Sequence, residues 1–163
     1  MEPCDTCDGT GTVIDLTTTP PEPVAGRQIV IIVDIDGTLA IMKDRGAYEW
    51  GKVGNDELNQ PVAQAVSALR NMGNTVILLS GRDGSCRKET EQWLERHGIE
   101  YKELFMRPAG SMEKDTIIKK KLYDDHVKDI YSVLAVFDDR PCMIRLWRKM
   151  GLFVFDCGNG VEF

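Results

Sequence analysis

The sequence predicts an α/β fold: a Rossmann-like three-layer sandwich with a mainly parallel five-stranded sheet between helices and at most a small cap. Three observations predict it. From Gln28 onward, short apolar runs alternate with longer segments of helical period. Two of the runs, 28–34 (QIVIIVD) and 74–80 (NTVILLS), are β-branched and nearly continuous, as in strands covered on both faces. Strands separated in this way by helices are joined by right-handed crossovers and lie parallel.

The elements follow in order. Residues 1–26 hold four of the seven prolines and six threonines without apolar periodicity, and read as a tail. The domain is then 27–163. After the strand at 28–34, the segment 61–73 opens with Pro61, spaces apolar residues at 62, 65, 66, 69 and 72, and closes with Gly73: a helix. The strand at 74–80 follows. A helix from about Cys86 to His97 buries Trp93 and Leu94 and stops at Gly98; 103–106 (ELFM) makes a short strand. A helix over 115–127, a strand over 132–137 (SVLAVF), a helix over 141–150 and a last strand over 152–155 complete the alternation.

Composition bounds the function. A chain of 163 residues has the length of one domain. The longest apolar run spans only Ile29 to Val33, far short of the roughly 20 residues a membrane helix needs. The N-terminus lacks the pattern of a secretory signal, so a cytoplasmic protein is expected, with no membrane partner. Five cysteines, only Cys4 and Cys7 closely spaced, do not make a secreted disulfide framework.

In sheets of this kind ligands bind outside the carboxyl ends of the strands. There the sequence places Asp34-Ile-Asp36-Gly-Thr38 after the first strand, Ser80-Gly81-Arg82 after the second and Asp138-Asp139 after the fourth. Carboxylates gathered at one rim repel one another and call for a cation; an all-oxygen donor set points to Mg²⁺. Asp34 and Asp36 share one side of the strand end, so one can attack an electrophile while the other exchanges protons. Thr38 can orient a phosphate oxygen. Each string alone has a plainer reading: a calcium loop or surface turn, a simple turn, a helix cap. The calcium loop fails on spacing, because Leu39 stands where its glycine belongs and Arg45 where its glutamate belongs.

These residues resemble the motifs of the haloacid-dehalogenase-type phosphatases: Asp34-x-Asp36-Gly-Thr first, then Ser80, Lys119 and Asp138-Asp139. The resemblance covers nearly all of 29–163. Within that superfamily the chain is most similar to the 3′-phosphatase domains of phage polynucleotide kinase-phosphatases, through DIDGTLAIMKDRGAYEW, LLSGR, KDTIIK and VFDDRPCMIRLWRKMG. The resemblance implies a haloacid-dehalogenase-like fold with Asp34 as nucleophile and Asp36 as general acid, then base. It implies that Asp138 and Asp139 hold Mg²⁺ with Asp34 and the backbone carbonyl of Asp36. Ser80 and Lys119 would bind the transferring phosphoryl oxygens, and Asp115 would orient Lys119. Arg45 and Arg82 occupy the positions of arginines this subfamily requires, and guanidinium suits phosphate recognition. Gly81 belongs to the same substrate-binding stretch.

The function expected is a phosphomonoesterase acting on 3′-phosphorylated DNA or RNA ends in end repair, with 2′,3′-cyclic phosphate as a further candidate substrate. The alternative is a nucleotidase or other small-molecule phosphatase of the same superfamily. No G-x-x-x-x-G-K-[ST] loop occurs, so no kinase activity is expected. Only about 41–60 is available for a cap, which leaves the site open to a polymer end. Tyr48 and Trp50 lie in this insertion; packing on the core is the stronger reading for them, stacking on a terminal base the weaker. A phage or bacterial source would place the reaction in the cytoplasm of a host cell or bacterium.

Cys4-x-x-Cys7 resembles half of a DnaJ-type zinc-binding repeat. A structural Zn²⁺ wants four ligands, which a homodimer could complete; a reduced tail without metal is the other reading. The tail also explains the net charge of −6. Five of the 26 acidic residues and none of the basic ones lie in 1–26, leaving 21 acidic against 20 basic in the domain. The charge therefore does not exclude a nucleic-acid end as substrate.

Overall fold

A computed structural model describes residues 22–159 of the chain. Cys4 and Cys7, and with them the choice between a zinc site and a metal-free tail, lie outside the described residues. The elements run β1 Ile29–Val33, β2 Ala40–Ile41, β3 Glu57–Leu58, α1 Gln60–Asn71, β4 Thr75–Asp83, α2 Arg87–Arg96, β5 Glu103–Arg107, α3 Asp115–His126, β6 Ser132–Asp138, α4 Pro141–Lys149 and β7 Val154–Asp156. Five strands form one sheet in the order β5-β4-β1-β6-β7, and each neighbouring pair is parallel. This is the expected three-layer sandwich.

The period of two along β1 builds its two cores. Ile31 and Val33 face Ala63 and Val66 of α1 and Trp93 and Leu94 of α2. Val30 and Ile32 face Tyr123 of α3 and Met143, Ile144 and Trp147 of α4. Trp93 and Trp147, one in each layer, are both fully buried. Truncating either to Ala would cost about 3–5 kcal/mol. Among the described residues, no helix is long and apolar enough to cross a membrane.

Two features depart from the expected elements. Strand β4 does not end in a turn at Ser80 but continues to Asp83. The β4–β5 register shifts between Ser80 and Asp83, so Gly81 and Arg82 form a bulge, with Arg82 fully buried. The segment after β1 is a small structured cap: β2 and β3 pair antiparallel (Ala40 with Leu58, Ile41 with Glu57), and a 3₁₀ helix spans Trp50–Asn55. Val53 anchors it in the core, and the indole Nε1 of Trp93 donates to the Asp56 carbonyl at 2.8 Å. At the opposite end of the sheet, the backbone N–H of Val24 donates to Ser132 Oγ at 2.9 Å, so contact with the domain starts a few residues before position 27.

Candidate active site

Adjacent parallel strands carry their terminal residues to one rim, and β1 and β6 are neighbours. Asp34, Asp138 and Asp139 accordingly bring carboxylate oxygens within 4.8 Å of one another. The Asp34 N–H is fixed by the Phe137 carbonyl at 3.0 Å. Lys119, from α3, enters beneath them. Its Nζ lies 3.0 Å from Asp34 Oδ2 and 3.0 Å from Asp138 Oδ2, with Asp115 Oδ2 at 3.9 Å one helical turn away. The indole Nε1 of Trp147 also donates to Asp138 Oδ2, at 3.1 Å.

The electrostatics follow from this crowding. Burial pushes the Asp34 carboxyl well above the usual carboxylate range; Lys119 opposes the shift, while Asp138, Asp139 and Asp115 add to it. Asp139 is raised for the same reasons, burial first and then Asp138. Burial pulls Lys119 down, but Asp138, Asp34 and Asp115 outweigh it and hold the ammonium above its ordinary value. One lysine does not balance three carboxylates. The hard-oxygen donor set fits Mg²⁺, which would be held by Asp34, Asp138 and Asp139. Gly37 makes this packing possible: at φ +81°, a Cβ there would stand 2.0 Å from Asp139 Oδ2. Thr38 is fully buried, with its hydroxyl donating to Asp139 Oδ1 at 3.2 Å, so it steadies a candidate metal ligand.

Asp36 lies in a second group. Its Oδ1 accepts from Arg45 Nη2 at 2.7 Å and from Arg82 Nε and Nη2 at 3.0 and 2.7 Å. Both arginines are tied in turn to the buried Asp56. Arg45 Nε reaches Oδ1 at 2.7 Å, while Arg45 Nη2 and Arg82 Nη2 reach Oδ2 at 2.6 and 2.7 Å. Arg82 Nη1 ends on Thr90 Oγ1 at 3.3 Å. The donors of Arg45 and Arg82 are thus directed onto protein carboxylates, a hydroxyl and the Gly46 carbonyl, and they meet the site through Asp36. Ser80 is buried at the rim, and its Oγ accepts the Arg82 N–H at 3.2 Å. The Gly81 carbonyl accepts from Arg107 Nε at 2.8 Å.

A third group surrounds Asp115, which sequence reasoning assigned only to Lys119. Arg107 Nη2 lies 3.3 Å from its Oδ1 and Arg140 Nη1 3.2 Å from its Oδ2. Arg140 keeps 38% of its side chain exposed, a cation at the rim beside the buried Lys119. Asp56, Arg107 and Arg140 were missed. Arg107 ends a strand and Arg140 follows Asp138-Asp139, so the rule that found the other residues also marks these two. Asp56 sits in an aperiodic loop with no such mark.

Cys157 lies near the acidic cluster; burial first, and then the carboxylates of Asp138 and Asp139, push its thiol up to about 12. His126 stacks on Phe105, their centroids 4.6 Å apart, and His97 packs against Trp93. Trp50 packs on the core, whereas Tyr48 is 79% exposed.

Comparison with known proteins identifies the family and the fold. Residues 28–162 match the family described as the polynucleotide kinase PNKP phosphatase domain. A protein of Autographa californica nuclear polyhedrosis virus, described as a bifunctional polynucleotide kinase/RNA ligase, is 36% identical over 138 residues, which are 82% of this chain and 20% of the viral one. A chain of the Pnkp1/Rnl/Hen1 complex superposes with a TM-score of 0.83 at 33% identity, covering 91% of this chain and 51% of that one. The class C acid phosphatase of Bacillus anthracis shares the fold at 13% identity, with a TM-score of 0.56 over 82% of this chain and 68% of its own. The chain therefore spans about a fifth of the viral relative and about half of the matched chain of the complex.

Proposed function

The chain belongs to the polynucleotide kinase-phosphatase family of phosphatase domains, and from that membership and the site we propose a Mg²⁺-dependent polynucleotide 3′-phosphatase of nucleic-acid end repair. The observation that carries the proposal is the pairing of two differently held aspartates, Asp34 beside Lys119 and the acidic cluster, Asp36 beside two arginines. Groups two residues apart in such different surroundings suit a nucleophile and a proton-transfer group.

In the reaction, an Asp34 carboxylate oxygen attacks the phosphorus of the terminal 3′-phosphate. The bond from phosphorus to the 3′-oxygen breaks, and Asp36 gives that oxygen its proton. The products of this step are a free 3′-hydroxyl end and a phosphoaspartyl group on Asp34. Asp36 then takes a proton from water, whose oxygen attacks the phosphorus, releasing inorganic phosphate and restoring Asp34. Asp36 has a structural basis for this cycle: Oδ1 is anchored by three N–H donors, and among the described residues no donor engages Oδ2. Lys119 supplies positive charge at the nucleophile, where a loosely bonded phosphoryl group carries negative charge. When bound at Asp34, Asp138 and Asp139, Mg²⁺ would add charge neutralisation of the phosphoryl oxygens.

The small cap and the half-exposed Arg140 support a polymer end as substrate. So does the description of the Pnkp1/Rnl/Hen1 assembly as an RNA repair complex. The deciding measurement is Mg²⁺-dependent phosphate release from a 3′-phosphorylated oligonucleotide, a 5′-phosphorylated one and nucleoside monophosphates, for wild type and Asp34→Asn. Preference for the 3′-phosphorylated oligonucleotide is expected, with turnover abolished by Asp34→Asn. Strong preference for monophosphates would favour a nucleotidase, and wild-type turnover in Asp34→Asn would remove the nucleophile assignment.

A further inference from the structure

The terminal nucleoside of a 3′-phosphorylated end is the leaving group, so it departs beside the residue that gives its oxygen a proton. This rests on the reading of Asp36 as that residue. The 3′-oxygen must come within hydrogen-bond reach of Asp36, on the side of phosphorus opposite Asp34. Asp36 is gripped by Arg45 and Arg82. Arg82 is fully buried in the β4 bulge and offers no surface to a nucleoside. The Arg45 side chain is buried too, but Arg45 begins a turn whose next residues are exposed. Tyr48 follows Arg45 by three residues in that turn, and three residues span at most about 10 Å of chain.

That turn is fastened. The Gly46 N–H donates to Glu49 Oε2 at 2.6 Å, the Glu49 N–H returns to the Gly46 carbonyl at 3.2 Å, and Lys52 Nζ holds Glu49 Oε1 at 2.8 Å. Tyr48 lies between the two ends of this closed loop. Its ring meets Trp50 edge-on, centroids 5.9 Å apart and planes at 89°, and Trp50 is itself packed on the core. Tyr48 is 79% exposed, the most exposed aromatic side chain among the described residues. A ring that adds almost nothing to the core, yet is carried by a fastened turn that begins at an arginine gripping the proposed proton donor, is free to receive a flat apolar group.

We propose that Tyr48 is the stacking platform for the base of the terminal, 3′-phosphorylated nucleotide. Stacking on an aromatic face is tolerant of base identity, because every base presents a π-face. The platform therefore discriminates a nucleotide from a sugar phosphate without a base, and does not select one base over another.

The test uses the full chain and two oligonucleotides of the same sequence ending in 3′-phosphate, one with a normal terminal nucleotide and one with an abasic terminal residue. The ratio of their kcat/KM values is measured for wild type, Tyr48→Ala and Tyr48→Phe. The wild type is expected to favour the base-bearing end by about 5- to 150-fold, Tyr48→Phe to keep that ratio and Tyr48→Ala to bring it close to one. A wild-type ratio near one, or a ratio that survives Tyr48→Ala while both rates fall together, overturns the proposal. Failure of the function reading looks different: neither oligonucleotide would release phosphate while nucleoside monophosphates did.

Discussion

Arg82 and Asp36 are joined through a single carboxylate oxygen, with Nε at 3.0 Å and Nη2 at 2.7 Å both donating to Oδ1. Two donors of one planar guanidinium fix the direction of the carboxylate as one flexible donor would not. Arg45 adds a third N–H to the same atom, and Asp56 ties the two arginines together. The proposed proton-transfer group is oriented by a closed box of four charges, two of each sign.

Arg82→Lys tests that box. A lysine ammonium keeps the charge but cannot reach Asp36 as a fork while also meeting Asp56 and Thr90. Turnover of a 3′-phosphorylated oligonucleotide is expected to fall by about 10²- to 10⁴-fold, the usual worth of general acid–base catalysis. Hydrolysis of p-nitrophenyl phosphate, whose leaving group needs little protonation, should fall much less. Equal losses on both substrates would mean that Arg82 acts other than through Asp36.

Asp56→Asn removes the negative charge common to both arginines and leaves two buried guanidiniums to share Asp36. Breaking a buried ion pair from one side costs about 3–5 kcal/mol. Urea denaturation should show a loss of that order, accompanied by loss of phosphatase activity. A variant as stable as wild type would show that the box carries no structural load.

The legibility of this site from sequence divides along the same line. Strands β1 and β4 were readable because Ile29–Val33 and the start of β4 are continuous β-branched runs, and the strand-end rule then located Asp34, Asp36, Ser80 and Asp138-Asp139. The two-residue strands β2 and β3 were not, since two residues cannot display a period. Asp56 lies between the 3₁₀ helix and β3, and only the tertiary approach of Arg45 and Arg82 gives it a role. The sequence marks Arg82 only as part of a strand-end stretch suited to phosphate, and does not show its burial. The bulge at the end of β4 buries it, and a bulge depends on the register with β5.

The acidic cluster makes the metal-free protein sensitive to pH. Asp34 and Asp139 are both held above 3.8, burial being the main cause. The folded state therefore keeps protons that the unfolded chain has released. Their contribution to stability is complete below the unfolded pKa and is lost as pH rises through the folded ones. In EDTA, stability should decline over that interval; saturating Mg²⁺ should reverse the decline. A ligand at 100 times its dissociation constant stabilises by about 2.7 kcal/mol, or about 5–11 °C in Tm for a domain of this size. Asp139→Asn should raise Tm in EDTA, by relieving repulsion, and abolish the Mg²⁺-induced rise. Equal Mg²⁺ responses in wild type and Asp139→Asn would place the ion elsewhere.

Gly158 supports the site from a position that carries no reactive group. The chain after β7 turns back against β6: the Cys157 N–H donates to the Asp138 carbonyl at 2.9 Å. A Cβ on residue 158 would stand 2.1 Å from the Asp139 carbonyl oxygen and 3.0 Å from its carbonyl carbon. A clash with a mobile side-chain tip could be relieved by rotation, but this one is with backbone. Its relief must move either the end of β7 or the peptide that carries Asp139, and β7 is held in register with β6 through Asp138 and Asp156. Gly158→Ala is therefore expected to displace Asp139 from Asp34 and Asp138. Mg²⁺ activation should then require at least tenfold more metal, and Tm should fall by several degrees, since overpacking costs about 1–3 kcal/mol. Titrating phosphate release against Mg²⁺ reads the first effect and thermal unfolding in EDTA the second. Wild-type Mg²⁺ dependence in Gly158→Ala would show that the Asp139 peptide absorbs the added methyl without moving its carboxylate.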